Sequence, residues 1–304
     1  MKKSTKWFLF ILSALLLTAM GAMTIFYLAF SDLTEGTEEI VLRGGDRLGL
    51  VELRGVITSS EDIVKQVKKL REDRTIRGVV LRIESPGGGV VASQEIYEEV
   101  KRTRDQGKPV VVSMGSVAAS GGYYVACGAS RIVANLGTLT GSIGVISHFM
   151  RFDPMLDKVG IGVNTIKSGK FKDSGSPFRE MSNDDRTYFQ SMMDDVHLQF
   201  VSVVERERHL SHDSVLSYAD GRVFTGDQAH GIGLIDTLGT FEDAIEIAAN
   251  LSGIRGKPSM VRERKRGLTL LERILGASGI TELAALKGEL LDQPILQYRM
   301  VRGF

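Results

Sequence analysis

The sequence predicts an α/β fold in which parallel strands alternate with helices. The β-branched runs at 76–83 and 109–112 have the composition of buried strands, and amphipathic segments with helical spacing follow them. Small residues come directly after both strands, at 85–89 and around Ser120. In open α/β sheets, functional loops lie at the carboxyl ends of strands. We therefore expect a site where these two stretches meet.

The composition is that of an ordinary globular protein with room for one large domain or two small ones. The chain has 304 residues, of which 43% are hydrophobic and 25% charged, and its formal net charge is +1. Basic residues are spread along the chain and balanced by acidic ones, so no nucleic-acid partner is expected. The locally basic tract 262–266 is interpreted as solvated surface.

A single cysteine, Cys127, excludes an intrachain disulfide and cysteine-based zinc sites. It lies in an apolar helical run without a neighbouring histidine, so we interpret it as a small buried hydrophobe and not as a nucleophile. The five histidines show no metal-ligand spacing. The sequence therefore predicts neither a metal nor another cofactor.

Residues 1–30 have the composition of an uncleaved membrane anchor. Three early lysines precede the uncharged stretch 7–30, which as a helix would be about 36 Å long and would span a bilayer. A cleaved leader is the alternative, but leaders have a shorter apolar core, and residues 19–21 make a poor cleavage site. The lysines favour a cytoplasmic N-terminus, which would place everything after Ser31 on the far side of the membrane.

A polar linker at 31–46 is predicted to lead into a domain at 47–252. Its first half is expected to contain a strand at 47–57, a helix capped by Ser59 and Ser60, the strand at 76–83, a helix after the glycine triplet, the strand at 109–112, a helix starting within 118–129 and a strand at 131–134. The second half is expected to contain a strand at 141–147, a helix from the capping box of Ser182 and Asp185 to about Arg208, an extended piece within 220–226 and a helix at 240–251. Residues 268–291 are interpreted as helices, so 253–304 is assigned to a C-terminal helical extension.

Ser120 is the candidate nucleophile, because it lies where a strand gives way to a helix. Its hydroxyl would be near the positive end of the helix dipole, and Gly121 and Gly122 leave room for a substrate backbone. Glycines 87–89 can turn backbone amides toward a developing oxyanion, and the Gly121 amide lies next to the serine. The structural alternatives are an N-cap serine and a turn that starts a helix, so the case depends on a base.

The residue types and their spacing do not identify that base. Histidine is the usual partner of a serine, but none of the five is marked by its context; they are His148, His197, His209, His212 and His230. A buried lysine can serve if its pKa of about 10.4 falls by roughly 3 units, which desolvation can produce. The loop 167–172 offers Lys167, Lys170 and Lys172, although a solvated basic loop is the alternative. Because Asp173 would oppose such a fall, its side chain should diverge from that of Lys172.

Five segments provide a more specific signal: 79–89 (VVLRIESPGGG), 119–126 (ASGGYYVA), 139–145 (LTGSIGV), 169–173 (GKFKD) and 221–226 (GRVFTG). In this order they resemble the short form of signal peptide peptidase A. The resemblance covers about two thirds of the chain, from residue 48 to 251. It implies a membrane-anchored serine protease with a Ser–Lys dyad on the ClpP/crotonase fold, a superhelix of repeated β-β-α units.

By motif position, the resemblance implies that Ser120 is the nucleophile, that Lys172 is the general base and that Ser142 orients the lysine amine. Gly87 and Gly121 match the oxyanion donors of the family. No metal or cofactor is implied.

An extended peptide substrate is expected to pair with the edge formed by Gly88, Gly89 and Val90. One departure is Glu84, where the family more often has a shorter Asn or Asp. We expect this difference to affect loop packing and to leave the chemistry intact.

The long form of the family carries two copies of the domain and draws serine and lysine from different copies. This chain has one such serine and one such lysine. The resemblance therefore implies a homo-oligomeric ring in which Lys172 reaches Ser120 of a neighbouring protomer. The expected function is endopeptidase cleavage of released signal peptides and similar apolar segments. The expected location is the bacterial inner membrane, with the catalytic domain on the external side.

Three other hypotheses remain open. Residues 118–122 are close to a nucleophile elbow, which suggests an esterase-like or lipase-like hydrolase with a histidine base. An acyl-CoA-handling relative of the crotonases would use glycine amides in the same way. A non-catalytic scaffold tethered to the membrane would keep the fold without the activity.

Overall fold

The computed structural model describes residues 46–262 and 297–300, together with Trp7, Leu15, 17–21 and Met23. Within these residues, no helix is both long and apolar enough to cross a bilayer. Most of the predicted anchor at 1–30, nearly all of the linker and the helices expected at 268–291 lie outside the described residues. The fold described below belongs to one compact unit, Val41–Val261 with Gln293–Phe304.

The described part of the chain contains ten strands. They are β1 (Arg47–Arg54), β2 (Ile76–Ser85), β3 (Gly87–Gly89), β4 (Val110–Ala119), β5 (Arg131–Ala134), β6 (Leu139–Gly141), β7 (Val223–Thr225), β8 (Thr237–Leu238), β9 (Ser259–Arg262) and β10 (Gln297–Arg299). Eight of them form one sheet along the path β7-β6-β4-β2-β1-β9, with β5 on β4 and β8 on β5. The pairs among β1, β2, β4, β5, β6 and β8 are parallel, and β7 is antiparallel to β6.

Eight helices connect these strands in the described residues. They are α1 (Glu61–Glu72), α2 (Val90–Asp105), α3 (Gly121–Ala126), α4 (Asp153–Lys158), α5 (Asn183–Arg208), α6 (His212–Leu216), α7 (Gly226–Gly231) and α8 (Phe241–Leu251). The predicted capping box at Ser182 and Asp185 is present at the start of α5. Alternating strands and helices confirm the α/β class.

Both faces of the sheet are covered, which explains why its central strands are apolar without alternation. Successive side chains of β2 point to opposite faces. Val79 and Leu81 therefore pack in one core cluster with Ile96 of α2, whereas Val80 packs in a second cluster with Ala248 of α8. The sheet is thus held rigidly between helices, and the carboxyl ends of β2 and β4 are fixed by its core.

Several predicted boundaries were wrong. The strand expected at 109–112 extends to Ala119, because it continues alongside β2 and β6; α3 begins at Gly121, within the range expected. The strand expected at 141–147 is absent beyond Gly141, since Gly141 and Ser142 both have positive φ, at +74° and +52°. Residues 253–304 were assigned to a helical extension, but they contribute two strands, β9 and β10, on either side of the stretch 268–291 for which helices were predicted.

Candidate active site

Ser120 connects β4 to α3 in an unusual backbone conformation. Its φ and ψ are +52° and −116°, a combination that few non-glycine residues adopt. The backbone N–H of Ser120 donates to the carbonyl of Gly141 at 2.8 Å, which holds the turn in place. The hydroxyl oxygen is buried and has no hydrogen-bond partner among the described residues. A nucleophilic serine needs a hydroxyl that is not engaged by other protein groups. The buried Ser120 hydroxyl, on its strained turn, meets this condition.

The glycine strand β3 runs past this serine. Its outer edge is occupied by Ile57, whose N–H donates to Gly87 at 2.9 Å and whose carbonyl accepts from Gly89 at 2.7 Å. The Gly87 amide itself donates to the hydroxyl of Ser85 at 3.1 Å. Gly88 is therefore the residue of β3 whose backbone groups face the opposite edge.

That opposite edge is filled by β10, from the far C-terminal end of the chain. The antiparallel register pairs Gln297 with Gly89, Tyr298 with Gly88 and Arg299 with Gly87. The Met300 amide donates to the Pro86 carbonyl at 2.7 Å. Because hydrogen-bonded pairs alternate along an antiparallel ladder, Tyr298 and Gly88 form the next such pair.

On its other side, β10 meets the segment after Ser142. Gln297 and Ile146 exchange two backbone hydrogen bonds, of 3.0 and 3.1 Å. The segment 297–300 thus lies between two chain segments, along the edge at which a substrate was expected. Val90, assigned to the same edge from the sequence, is instead the first residue of α2.

The carbonyl of Tyr298 is surrounded by glycine backbone. A Cβ built on Gly87 would lie 2.0 Å from the Tyr298 oxygen and 2.6 Å from the Gly121 nitrogen. A Cβ built on Gly121 would lie 3.0 Å from the same oxygen and 3.1 Å from the Gly88 nitrogen. Side chains are therefore excluded at a point where two amides approach a peptide carbonyl.

Glu84 positions the turn that carries Ser120. Its carboxylate accepts hydrogen bonds from the amides of Ser116 and Val117, at 2.8 and 3.2 Å, where the pairing of β2 with β4 is irregular. A Cβ at Gly115 would lie 1.8 Å from this carboxylate, so a side chain there would displace Glu84 from its present position. The longer acidic side chain acts in loop packing, which is the role expected from the sequence.

The lysine loop separates its three amines. Lys167 pairs with Asp173 at 2.6 Å and Lys170 pairs with Asp184, whereas exposed Lys172 forms no ion pair with a described residue. Hydrogen bonds from Arg179 and Lys167 hold the pKa of Asp173 well below its usual range. Asp173 is thus paired with Lys167 and Arg179, and it forms no ion pair with Lys172 in the described structure.

Ser142 and Ser120 are close along the sheet edge, because the carbonyl of Gly141, the residue before Ser142, accepts a hydrogen bond from the Ser120 amide. Ser142 is 7% exposed, and its own amide donates to Arg222 at 2.9 Å. No hydrogen bond links Lys172 to either serine within the described chain. The single chain therefore brings together Ser120, Gly88, Gly121 and the Ser142 turn, and leaves Lys172 on the surface.

Other candidate groups gain no support from the geometry. No histidine bonds the Ser120 hydroxyl in the described structure, and His212 is paired with Glu205. Among these residues, no group of three or more His, Cys, Asp or Glu could hold a metal ion. Cys127 is buried as predicted, and burial raises the pKa of its thiol to about 12.

Comparison with known proteins gives a consistent result. The signature of Peptidase family S49 matches residues 102–255, and that of Clp protease matches 54–135. A Synechocystis sp. protein named as a protease is 40% identical over 247 residues, 78% of this chain and 89% of that protein. A Methanocaldococcus jannaschii protein named as a protease is 35% identical over 286 residues, 88% and 90% of the two chains. An Enterococcus faecium protein named as a signal peptide peptidase, SppA, is 34% identical over 244 residues, 75% and 70% of the two chains.

Proposed function

Because the chain belongs to Peptidase family S49 and is a serine protease with a ClpP-like α/β fold, we propose that Ser120 is its nucleophile and Lys172 its general base. The observation that carries this proposal is the buried Ser120 hydroxyl, which has no partner in the described chain and lies on a strained turn beside glycine amides. A peptide carbonyl already occupies the space between those amides. Nucleophile, oxyanion donors and a place for a peptide backbone thus meet at one point.

The oxyanion donors are the amides of Gly88 and Gly121. Gly121 was expected from the sequence, whereas Gly87 was expected in place of Gly88. The Gly87 amide is engaged by Ser85, and Gly88 is the register partner of Tyr298. The tetrahedral oxygen would take the place of the Tyr298 carbonyl oxygen and accept both N–H groups, which stabilises charge as it develops.

The reaction proceeds by acyl transfer. The uncharged Lys172 amine accepts the Ser120 hydroxyl proton while Oγ attacks the scissile carbonyl, and Ser142 orients the amine. The new amine product leaves with the proton that Lys172 returns to its nitrogen. Lys172 then takes a proton from water, whose oxygen attacks the acyl-serine ester. Lys172 returns this proton to the Ser120 oxygen as the acid product leaves, which restores the serine hydroxyl and the uncharged amine.

Lys172 would act on Ser120 of a neighbouring protomer. An amine is a base only when uncharged, which requires a site shielded from water, and Lys172 is exposed in the single chain. Large apolar side chains are also exposed within residues 150–178, the segment that contains Lys172, as at a subunit interface. They are Met150, Phe152, Met155, Val159, Ile161, Val163, Ile166, Phe171 and Phe178. Assembly into a homo-oligomeric ring would cover them and bring Lys172 to the serine.

The substrates would be released signal peptides and similar apolar peptides. A relative named as a signal peptide peptidase supports this class, and an extended apolar peptide fits the edge of β3. Residues 1–30 would anchor the chain in the bacterial inner membrane, with the N-terminus in the cytoplasm and the catalytic domain outside. There the enzyme would meet peptides that leave the bilayer.

The test is cleavage of a synthetic signal peptide by purified full-length chain in detergent. Ser120→Ala and Lys172→Ala should each reduce turnover by about 10³-fold or more, with unchanged thermal unfolding. Lys170→Ala is the matched control, because Lys170 lies two residues away but is paired with Asp184. Retention of activity in Ser120→Ala would contradict the proposal, and retention in Lys172→Ala would exclude this lysine as the base.

A further inference from the structure

The residues on either side of Lys172 are attached to helix α5. On one side, the ring of Phe171 stacks on Tyr188, with centroids 5.1 Å apart and an angle of 27°. On the other side, Asp173 and Ser174 both belong to a cluster of charged and polar groups at the start of this helix. The proposed base thus lies between two fixed neighbours, although its own side chain is exposed.

Arg179 is the centre of that cluster. Its guanidinium donates five hydrogen bonds, one for each N–H group of an arginine side chain. Three of them go to Asp173: Nε at 2.9 Å and Nη2 at 3.0 Å bond its two carboxylate oxygens, and Nη2 also bonds its backbone carbonyl at 3.2 Å. Nη1 bonds Asp185 at 2.7 Å and the carbonyl of Glu180 at 2.9 Å. Because every donor is engaged, the orientation of the guanidinium plane is fixed.

Asp185 joins this arginine to the capping box of α5. Its carboxylate accepts the amide of Ser182 at 3.1 Å and the hydroxyl of the same serine at 2.8 Å, and it also accepts the hydroxyl of Ser174. Hydrogen bonds from Arg179, Ser174 and Ser182 hold the pKa of Asp185 well below its usual range, so the carboxylate stays charged near neutral pH. The start of the helix is therefore a rigid anchor for the loop.

The cluster differs from an ordinary surface ion pair, which contributes little because both side chains are solvated. The side chain of Asp173 is 11% exposed and that of Asp185 is 3% exposed. One planar arginine bridges these two carboxylates and bonds one of them with two nitrogens, which a lysine ammonium cannot do in the same geometry. The arrangement thus fixes the position of the loop backbone as well as its charge.

We propose that Arg179 is a positioning residue for the base, because it fixes the loop segment that carries Lys172 against the start of α5. This inference rests on the proposed function. Misplacing a catalytic group by about 1 Å can cost about 10²-fold in rate. With Arg179 in place, only the side-chain torsions of Lys172 remain to be set where it meets the neighbouring protomer.

The first test is Arg179→Gln in the full-length enzyme, with a synthetic signal peptide as substrate. The capping box of Ser182 and Asp185 stays intact in this variant, whereas the bridge to Asp173 is lost. The kcat should fall by about 10- to 100-fold and KM should change by less than about 2-fold, because the base is displaced and the peptide site is not. An unchanged kcat, or a loss confined to KM, would overturn the inference.

Two further variants separate the geometry of Arg179 from its charge. Arg186→Gln removes the same charge from the first turn of α5, where Arg186 is exposed and forms no ion pair with the residues that the structure describes, so kcat and KM should stay unchanged. Arg179→Lys keeps the charge without the planar bridge, so its kcat should lie within about 3-fold of that of Arg179→Gln. Full activity in Arg179→Lys, or an equal loss in Arg186→Gln, would contradict the positioning role.

A loss of folded or assembled sites would also lower kcat, so the sites are counted by labelling Ser120 with a fluorophosphonate. The final extent of labelling in Arg179→Gln should equal that of the unaltered enzyme, whereas the rate of labelling should fall together with kcat. Sedimentation should give the same particle mass for both proteins. A reduced extent that accounts for the loss of kcat, or a dissociated particle, would overturn the inference.

Arg179 should act only through Lys172. In a Lys172→Ala background, Arg179→Gln should leave the slow residual labelling of Ser120 unchanged, because the effects of residues that act as a unit are not additive. A further fall of the same size would contradict the inference. If Lys172→Ala retains peptidase activity, the proposed function is wrong in its base. If Lys172→Ala is inactive and Arg179→Gln is as active as the unaltered enzyme, only the positioning role is wrong.

Discussion

The carbonyl oxygen of Tyr298 lies so close to Gly87 that a Cβ at this glycine would be 2.0 Å from it. The same Cβ would lie 2.6 Å from the Gly121 amide nitrogen. A methyl group at position 87 would therefore occupy the space in which, at the proposed site, a scissile carbonyl would meet its hydrogen-bond donors.

Gly87→Ala should lower kcat/KM by on the order of 10²-fold, which is the loss seen when one oxyanion donor is removed. Part of any effect will come from backbone strain, because Gly87 has a φ of +95°. Gly107→Ala controls for that strain, since Gly107 has a φ of +85° and open space around its Cα. Equal kcat/KM losses in the two variants would contradict the role assigned to the Gly87 position.

Two inactive variants should restore activity when they are assembled together. A ring formed from equal amounts of Ser120→Ala and Lys172→Ala chains would contain intact sites wherever an unaltered serine faces an unaltered lysine, about a quarter of the total. The measurement is peptide cleavage after the mixture is dissociated and reassembled. No recovery, in a mixture shown to contain both chains in one particle, would mean that serine and lysine act within the same protomer.

Glu207 should stabilise the fold in a pH-dependent manner. Its side chain is only 6% exposed, and although desolvation opposes ionisation, hydrogen bonds from Tyr97 at 2.6 Å, Arg104 at 2.8 Å and Arg206 hold its pKa below the usual value. Glu207→Gln should therefore lower the free energy of unfolding by about 2 kcal/mol at pH 7.

The sign of the pH dependence follows from that lowered pKa. The stabilisation by Glu207 is complete above its unfolded pKa of about 4.3 and is lost as the pH falls through the lower folded value. The difference between the two proteins in urea unfolding should be constant from pH 6 to 8 and should narrow below about pH 4. A difference that grows on acidification would contradict this assignment.

Local pattern was sufficient to predict much of this fold. The central strands β2 and β4 are apolar because both faces of the sheet are covered, and α5 begins at a capping box that is visible in the sequence. Ser120 and the glycine triplet were also identified locally, because small residues follow buried strands. These features depend on neighbours within a few residues, which periodicity and capping rules describe well.

The features that were missed depend on distant partners. Strand β10 has three residues, Gln-Tyr-Arg, without a strand-like pattern, and it exists because it pairs with glycines about 200 positions earlier. The sequence could not show which amide, that of Gly87 or that of Gly88, is the proposed oxyanion donor. The choice depends on the hydrogen bond from the Gly87 amide to Ser85. Lys172 is exposed and forms no ion pair with a described residue, so no local contact distinguishes it from Lys167 and Lys170 as the proposed base.

The position of β10 has a consequence for the speed at which the enzyme can work. A strand covalently tied to the site competes with free peptides at an effective concentration that can reach millimolar levels. A peptide that binds at the proposed site would therefore have to displace 297–300, and its apparent affinity would fall by the fraction of time for which this edge of β3 is open. Residues 297–300 would then act as a built-in competitor of the proposed protease.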